Sequence, residues 1–313
     1  MPRALVTGIT GQDGSYLAEA LVADGWQVDG LVVGGDPLLP ELMARVPQVA
    51  THEGDLADEA AITALVDRLQ PDEIYNLGGI SSVAFSWERP VLTAQVTGLG
   101  PGILLEAAWQ LQQRLGRPVR VLQASSAEIF GEPDRSPQDE STPIRPVNPY
   151  GAAKAFAHHL VGVYRARGLP ASACVLYNHE SPRRSDAFVT RKITKAAALI
   201  ATGRQEVLRL GNLDIRRDWG WAPDYVDAMR RALADDQPGD YVVATGRAHS
   251  VSDFVAAAFA HAGVPDWRAR VEVDAALVRP ADATEQVGDA TKARTVLGWR
   301  PTVSFEEMVA RMV

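Results

Sequence analysis

The sequence predicts an α/β fold: a doubly wound parallel sheet with a smaller C-terminal lobe interleaved with it. Three observations carry this. Short apolar strands alternate with amphipathic helical stretches through the first 177 residues, and that alternation builds βαβ units around a parallel sheet. A glycine-rich turn joins the first strand to the first helix. From about residue 178 the pattern loosens, and arginines, a tryptophan pair and prolines fall among shorter elements.

In chain order, "RALVT" is the first strand, followed by "GITGQDG" and the amphipathic stretch "SYLAEALVADG". "VDGLVV" reads as the second strand and "QVATHEGD" as the third. "DEAAITALVDRLQ" is helical by its apolar spacing, and "EIYNL", "VRVLQA" and "SACVLYN" continue the strand series. "RPVLTAQVTGLGPGILLEAAWQLQQRLG" reads as one long helix interrupted by Gly98, Gly100, Pro101 and Gly102. An interior proline costs about 3 kcal/mol. Either this helix is kinked, or a second one starts with Pro101 in its first turn.

The chain's 313 residues suffice for one large α/β domain or two unequal ones. With 46% hydrophobic and 22% charged residues, the composition is that of a globular enzyme. A formal net charge of -8 argues against a nucleic-acid face, which needs clustered positive charge. Apolar runs are broken by charges or glycines well before about 18 residues, so no membrane span is expected, and no leader is read before "RALVT". Cys174, the single cysteine, lies in the apolar run "ASACVL" and reads as buried and inert. One thiol makes no internal disulfide, and a reducing cytoplasm is the natural reading. No metal site is expected.

Gly8, Gly11 and Gly14 form G-x-x-G-x-x-G between a strand and a helix. Such a turn brings backbone close to a pyrophosphate, whose charge the helix N-terminus favours. The fold is therefore expected to be of Rossmann type, over residues 1-177 with a return at about 213-247. Residues 178-212 and 248-313 form the second lobe. Asp55 after the third strand either meets an adenine amino group or caps the next helix. Asp36 after the second either accepts from a ribose 2′-hydroxyl or is a turn residue. No Lys or Arg occurs from residue 4 to 44, which favours NAD over NADP. Tyr150 and Lys154 in "PYGAAK" share one helix face. A cation beside a phenol lowers its pKa from about 10, and a phenolate near a nicotinamide takes the proton of an alcohol as hydride leaves.

With these residues in place, the chain resembles the extended short-chain dehydrogenase/reductases and, among them, the GDP-mannose 4,6-dehydratase family. The resemblance runs through "VTGITGQDGSYLAE", "QASSAEIFG", "NPYGAAKAFA", "NHESPRRSDAFVTRKIT", "GNLDIRRDWGWAPDYV", "VVATGRAHSV" and "GDATKA" with "LGWRP". It implies catalysis by Ser126, Glu128, Tyr150 and Lys154. Tyr150 would remove the O4 proton as C4 gives up hydride. Glu128 would take the C5 proton, made acidic by the new ketone, and return it to O6, which leaves as water; hydride would come back to C6. Ser126 would hydrogen-bond O4, and Lys154 would hold the cofactor ribose and the phenolate. The resemblance puts Gly8, Thr10, Gly11, Gln12, Asp13, Gly14, Asp36, Asp55, Leu56, Leu77, Gly78, Ser81, Tyr150, Lys154, His179 and Arg184 on NAD or NADP. It puts Ser82, Glu128, Asn178, Val189, Lys192, Arg217, Arg279 and Asp282 on a GDP-sugar. Asp282 stands where the family has a glutamate.

Four features depart from the family. Its basic loop after the second strand, which binds the 2′-phosphate and helps build a tetramer, is here the short "GGDPLLPEL". "GGISSV" replaces its polar segment at residues 78 to 83, Leu92 replaces a tyrosine, and Pro101 interrupts the dimer helix. The assembly expected is a homodimer through Ile103 to Leu115 and Tyr150 to Arg167. Its stripes would be Ala153, Phe156, Ala157 and Leu160 on one helix, and Leu104, Ala107, Ala108 and Leu111 on the other. Two other readings are a GDP-4-keto-6-deoxyhexose reductase or epimerase, which has no use for Glu128, and a sugar-nucleotide-binding protein without turnover.

Overall fold

The computed structural model describes residues 1–277 and 283–313. In chain order its strands are β1 (Arg3–Thr7), β2 (Gln27–Val32), β3 (Ala50–Glu53), β4 (Glu73–Asn76), β5 (Arg120–Ser126), β6 (Ala171–Leu176), β7 (Asn178–Glu180), β8 (Leu208–Leu210), β9 (Arg216–Trp221), β10 (Asp240–Val243), β11 (Ala248–Ser250), β12 (Val271–Val273) and β13 (Glu285–Gln286). Its helices are α1 (Gln12–Ala23), α2 (Leu39–Arg45), α3 (Glu59–Leu69), α4 (Val83–Glu88), α5 (Pro90–Thr93), α6 (Gly100–Leu115), α7 (Pro149–Ala166), α8 (Val189–Ala201), α9 (Ala222–Ala234), α10 (Val251–His261), α11 (Thr291–Val296) and α12 (Phe305–Met312).

Seven parallel strands lie in the order β10-β6-β5-β4-β1-β2-β3. Covered on both faces, β1, β5 and β6 are nearly continuous buried runs rather than alternating ones. On one face α1 and α9 seal a core through Leu17, Leu21, Met229 and Trp299. On the other, α3, α6 and α7 close over Leu65, Leu104, Leu111 and Val161. The chain order reverses direction between β1 and β4, and ligands of open α/β sheets bind outside the strand ends at such a reversal.

The second lobe has its own core, with Ile193 of α8, Phe254 of α10, Met308 of α12 and Trp219 of β9. Its sheet joins β11, β9 and β13, with β7 also paired to β9. Within residues 213-247, α9 and β10 join the large sheet, whereas β9 pairs in the small one.

Pro101 resolves the long-helix question. Residues Pro90–Leu115 run as one 26-residue helix, but its turns widen to π geometry over Ala94–Leu99, just before Pro101 opens α6. A proline ring otherwise meets the carbonyl four residues back, and a π turn makes room for it. By length and hydropathy this helix is capable of crossing a bilayer, a possibility hidden in the sequence by its glycines and proline. Half of its apolar window is buried against the rest of the fold, as a core helix is. Leu104, Ala107, Ala108 and Leu111 are at most 2% exposed. They pack on α3 and the sheet and leave nothing to offer a partner, contrary to the stripe read from the sequence. On α7, Ala153 and Ala157 are also buried, whereas Phe156 and Val163 point outward.

Candidate active site

The β1–α1 turn is built by close backbone approach. Gly8 has φ +64°, and a Cβ there would lie 2.8 Å from the Gly78 amide nitrogen; a Cβ on Gly14 would lie 2.3 Å from the Gly8 carbonyl oxygen. Gly11 caps α1 without a side chain, so the amides of the first turn stay open. The Gly78 amide donates to Thr7 Oγ1 at 2.9 Å, and Thr7 donates to Asn76 at 2.6 Å. Asn76 donates to Gln123 at 2.7 Å, and Gln123 to the Ala124 carbonyl at 2.8 Å. That carbonyl also accepts from Lys154 Nζ at 2.7 Å. A buried polar chain thus crosses β1, β4 and β5 from the glycine turn to the lysine.

Ser126 ends β5, and its hydroxyl accepts the Glu128 amide at 3.2 Å, starting a single 3-10 turn. The second of the two serines before the glutamate thus caps the bend that carries Glu128 at the end of β5. Asn148, just before α7, accepts the Gly151 amide at 2.8 Å and donates to Glu128 Oε2 at 2.7 Å. The Tyr150 amide donates to Ser86 Oγ at 3.2 Å, fastening α4 to the same helix start. Burial pushes the Tyr150 phenol up to about 12, while a hydrogen bond with Ser126 opposes this and the Glu128 carboxylate adds to it. Lys154 is pushed down to about 8 by burial. It lies 5.8 Å from the Tyr150 ring centre and spends a hydrogen bond on Ala124. The protein alone therefore leaves the phenol protonated, contrary to the lowering expected from the lysine; burial outweighs the nearby cation.

Across the cleft, the loop is pinned to β7. His179 Nδ1 donates to the Tyr177 carbonyl at 2.7 Å, and Nε2 faces Asp13 Oδ2 at 2.8 Å. Two acceptors for two ring nitrogens define an imidazolium. Burial opposes its charge, but Asp13 outweighs burial and raises the His179 pKa. Burial likewise pushes Asp13 upward, and His179 reverses this to a net lowering. The ring stacks on Tyr225 at 4.6 Å. Gln12 donates to the His179 carbonyl at 3.0 Å and accepts from Ser181 at 2.8 Å. Arg184 Nε lies 3.1 Å from Glu180 Oε2 without the alignment of a hydrogen bond, and its guanidinium covers the Phe188 ring at 3.7 Å.

The remaining expected residues are spread around this centre. Asp36 accepts from Thr10 at 2.6 Å and from the Leu38 amide at 2.9 Å. The Asp55 carboxylate accepts from the nearby Ala57 amide, and Asp58, not Asp55, caps α3. Leu56 is buried and Leu77 and Gly78 follow β4, next to Gly8. Ser81 is exposed, and Ser82 caps α4 through the Phe85 amide. Asn178 opens β7 and Val189 opens α8, with Lys192 exposed one turn on. Arg217 is buried and donates to the Arg216 and Ala283 carbonyls. Arg279 and Asp282 lie outside the described residues. Burial pushes the Cys174 thiol up, as an inert core thiol requires.

Comparison with known proteins decides the family. The GDP-mannose 4,6 dehydratase family model matches residues 5–312. The chain belongs to the GDP-mannose 4,6-dehydratase family. GDP-mannose 4,6 dehydratase 1 of Arabidopsis thaliana is 43% identical, covering 99% of this chain and 88% of the relative. The human GDP-mannose 4,6 dehydratase is 42% identical over 99% and 90%. Among solved structures, Thermus thermophilus UDP-glucose 4-epimerase in complex with NAD superposes with a TM-score of 0.85 at 29% identity, covering 99% of this chain and 97% of that one. Membership makes this chain a nucleotide-sugar 4,6-dehydratase of Rossmann fold, with an NAD(P) cofactor cycled internally.

The cleft fits the family's dinucleotide: the glycine turn leaves backbone room, and Arg184 offers a cation without an aligned bond. For this dehydratase the sequence reading missed Asn148, Ser86 and the Thr7–Asn76–Gln123 chain. Asn148 did carry a signal, since Asn before Pro before an apolar helical run is a helix start. Its bond to Glu128 had none.

The Asp13–His179 pair sets a pH dependence. His179 is raised above its ordinary 6.5, so its contribution is complete below pH 6.5 and is lost as pH rises through the raised value. Asp13 is held below its ordinary 3.8, so its share is present above pH 3.8 and lost as pH falls. Removing one partner of such a pair costs about 3 kcal/mol. Thermal unfolding of wild type and His179→Gln should differ most at mildly acidic pH and converge on the alkaline side. A difference that stays constant with pH shows that the pair is not the imidazolium–carboxylate described.

Proposed function

We propose that this dehydratase acts on GDP-mannose, giving GDP-4-keto-6-deoxymannose, with Ser126, Glu128, Tyr150 and Lys154 as its catalytic residues. The observation that supports this is Glu128, held at the strand end beside Tyr150 and Ser126. When bound, an oxidised nicotinamide dinucleotide, held by the Gly8–Gly14 turn and Lys154, would supply the hydride acceptor for C4 and the hydride donor for C6. Tyr150 receives the O4 proton, with Ser126 orienting that oxygen. Glu128 then removes the C5 proton and delivers it to O6 as the C6–O6 bond breaks and water leaves; the O4 proton passes from Tyr150 to solvent, and as hydride adds to C6 a solvent-derived proton is added at C5. An acid/base group of this kind contributes about 10²–10⁴-fold. A reductase or epimerase has no C5 elimination for Glu128 to serve. In the same reading the large-sheet lobe holds the dinucleotide, and the lobe around α8, α10 and α12 holds the sugar nucleotide.

Glu128→Gln should bind GDP-mannose and still oxidise C4, seen as near-ultraviolet nicotinamide absorbance, yet release no water by mass spectrometry. Tyr150→Phe should stop both steps. Complete dehydration by Glu128→Gln shows that another base serves C5.

We further propose NAD rather than NADP. The β2–α2 turn holds Asp36, and Glu53 Oε1 would lie 2.6 Å from a Cβ on Gly34. Arg45, the nearest arginine downstream, is tied to Glu41 at 2.6 Å. Carboxylates without a free cation repel a 2′-phosphate, and one charge-assisted contact is worth about 1.5–3 kcal/mol. Denaturing the purified protein should release NAD. NADP recovered from repeated preparations overturns the assignment.

The assembly proposed is a homodimer, and a cytoplasmic site of action accords with the single buried thiol. Supporting the dimer is a groove of about 530 Å³ between α6 and α7, lined by Leu99, Gly102, Ile103, Phe156, Leu160 and Tyr164. Leu99 is 53% exposed, Phe156 47% and Val163 59%, and burying such side chains yields about 1.5–3 kcal/mol each. A second copy crossing its own α6 and α7 here makes an isologous contact. Light scattering should give twice 33.7 kDa, and Phe156→Glu the single mass. A wild-type mass of 33.7 kDa overturns the dimer.

A further inference from the structure

We propose that Asn148 is a positioning residue for the elimination step. Its side-chain amide holds one oxygen of Glu128 while its carbonyl caps the helix that carries Tyr150 and Lys154. This rests on the reading of Glu128 as the C5 base.

The geometry is specific. Asn148 Nδ2 donates to Glu128 Oε2 at 2.7 Å, and Asn148 Oδ1 accepts the Gly151 amide at 2.8 Å. Both ends of one planar amide are thereby used, so its rotation is blocked in a residue only 5% exposed. The backbone around it is equally close. A Cβ on Gly151 would fall 2.5 Å from the Glu128 carbonyl oxygen, so the first turn of α7 rests directly on the Glu128 turn. The Arg145 amide donates to the Ile129 carbonyl at 2.9 Å, binding the segment before Asn148 to the same turn. Glu128 itself is half-buried, and the Ser126 cap on its amide nitrogen fixes its backbone; among the described residues, Asn148 is the side chain that hydrogen-bonds its carboxylate. The carboxylate group is thus aimed by Asn148.

The chemistry gives this aim a purpose. A carboxylate that accepts a carbon-bound proton and then donates it to O6 must present one oxygen to both positions in turn. Asn148 takes Oε2 and leaves Oε1 to move the proton. Because the same amide caps α7, the base for C5 and the phenol for O4 are held in one frame across two elements that are 20 residues apart in the chain.

Asn148→Ser separates the two duties. Serine caps a helix about as well as asparagine but is too short to reach Glu128. Under single-turnover conditions with GDP-mannose in deuterated water, two signals are followed: nicotinamide absorbance for C4 oxidation, and deuterium at C5 with loss of water for elimination. In Asn148→Ser, elimination should slow by about 10-fold and oxidation by less than about twofold, so that reduced nicotinamide accumulates in a protein that remains folded by circular dichroism. Asn148→Asp keeps the cap but sets a second carboxylate against Glu128, and should slow elimination at least as much. Equal slowing of both phases, or no slowing in either variant, overturns the inference. Glu128→Gln is measured alongside: if it eliminates water at the wild-type rate, the base assignment itself fails, and if it alone blocks elimination, only the role of Asn148 fails.

Discussion

Asp13 and His179 are 166 residues apart in the chain, and the contact between them is the constraint on which the cleft depends. Asp13 stands on the first turn of α1, inside the dinucleotide loop; His179 is the middle residue of β7, which belongs to the second lobe's sheet. A largely buried ion pair is expensive to form, and it persists only where its remaining protons and lone pairs find partners. Here the Tyr177 carbonyl, Gln12 and the Tyr225 ring supply them. Arg183 extends the seam, donating to Ser15 and pairing with Glu19 of α1 at 2.6 Å while covering the Tyr16 ring. The result is that the β1–α1 turn and the second lobe share one edge.

The opposite wall of the cleft is organised differently. Its rigidity comes from neutral hydrogen bonds at element ends: Ser126 caps the Glu128 turn, Asn148 caps α7, and Ser86 receives the Tyr150 amide. Each is worth about 1 kcal/mol as a cap or bond. Together they fix the relative placement of a carboxylate, a phenol and a lysine that arrive from β5 and α7. The polar chain from Thr7 through Asn76 and Gln123 ties this wall to the dinucleotide loop beneath the sheet surface. Buried chains of this kind are rigid when every member is satisfied, and here every link has a donor and an acceptor.

The burial that makes the site precise also makes its titratable groups reluctant to carry charge. Tyr150 is pushed up and Lys154 down for one reason, the absence of water around either charge. The resting protein therefore holds a neutral phenol. In the proposed mechanism the positive charge of an oxidised nicotinamide would favour the phenolate and offset part of this burial. Sequence spacing placed Tyr150 and Lys154 on one face, which is correct, but spacing carries no information on solvation.

Local sterics and burial period determined most of the architecture. The parallel sheet, the glycine turn and the two-lobed plan follow from apolar runs, helical spacing and residues whose backbone freedom is needed at Gly8 and Gly14. The shared helix face of Tyr150 and Lys154 was legible because it is a short-range object, whereas Ser126 and Glu128 were picked out only by resemblance to the family. Tertiary structure decided what depends on separation in the chain. It turned Leu104, Ala107, Ala108 and Leu111 inward, since an apolar stripe has no sign for partner or core. It kept the Pro90–Leu115 helix continuous through a π turn, a backbone solution no propensity scale represents. It gave Asp55 a local turn and Asp58 the cap, a choice set by one residue of phase. And it joined Asp13 to His179 and Asn148 to Glu128, because hydrogen-bond partners distant in sequence are selected by packing and not by pattern.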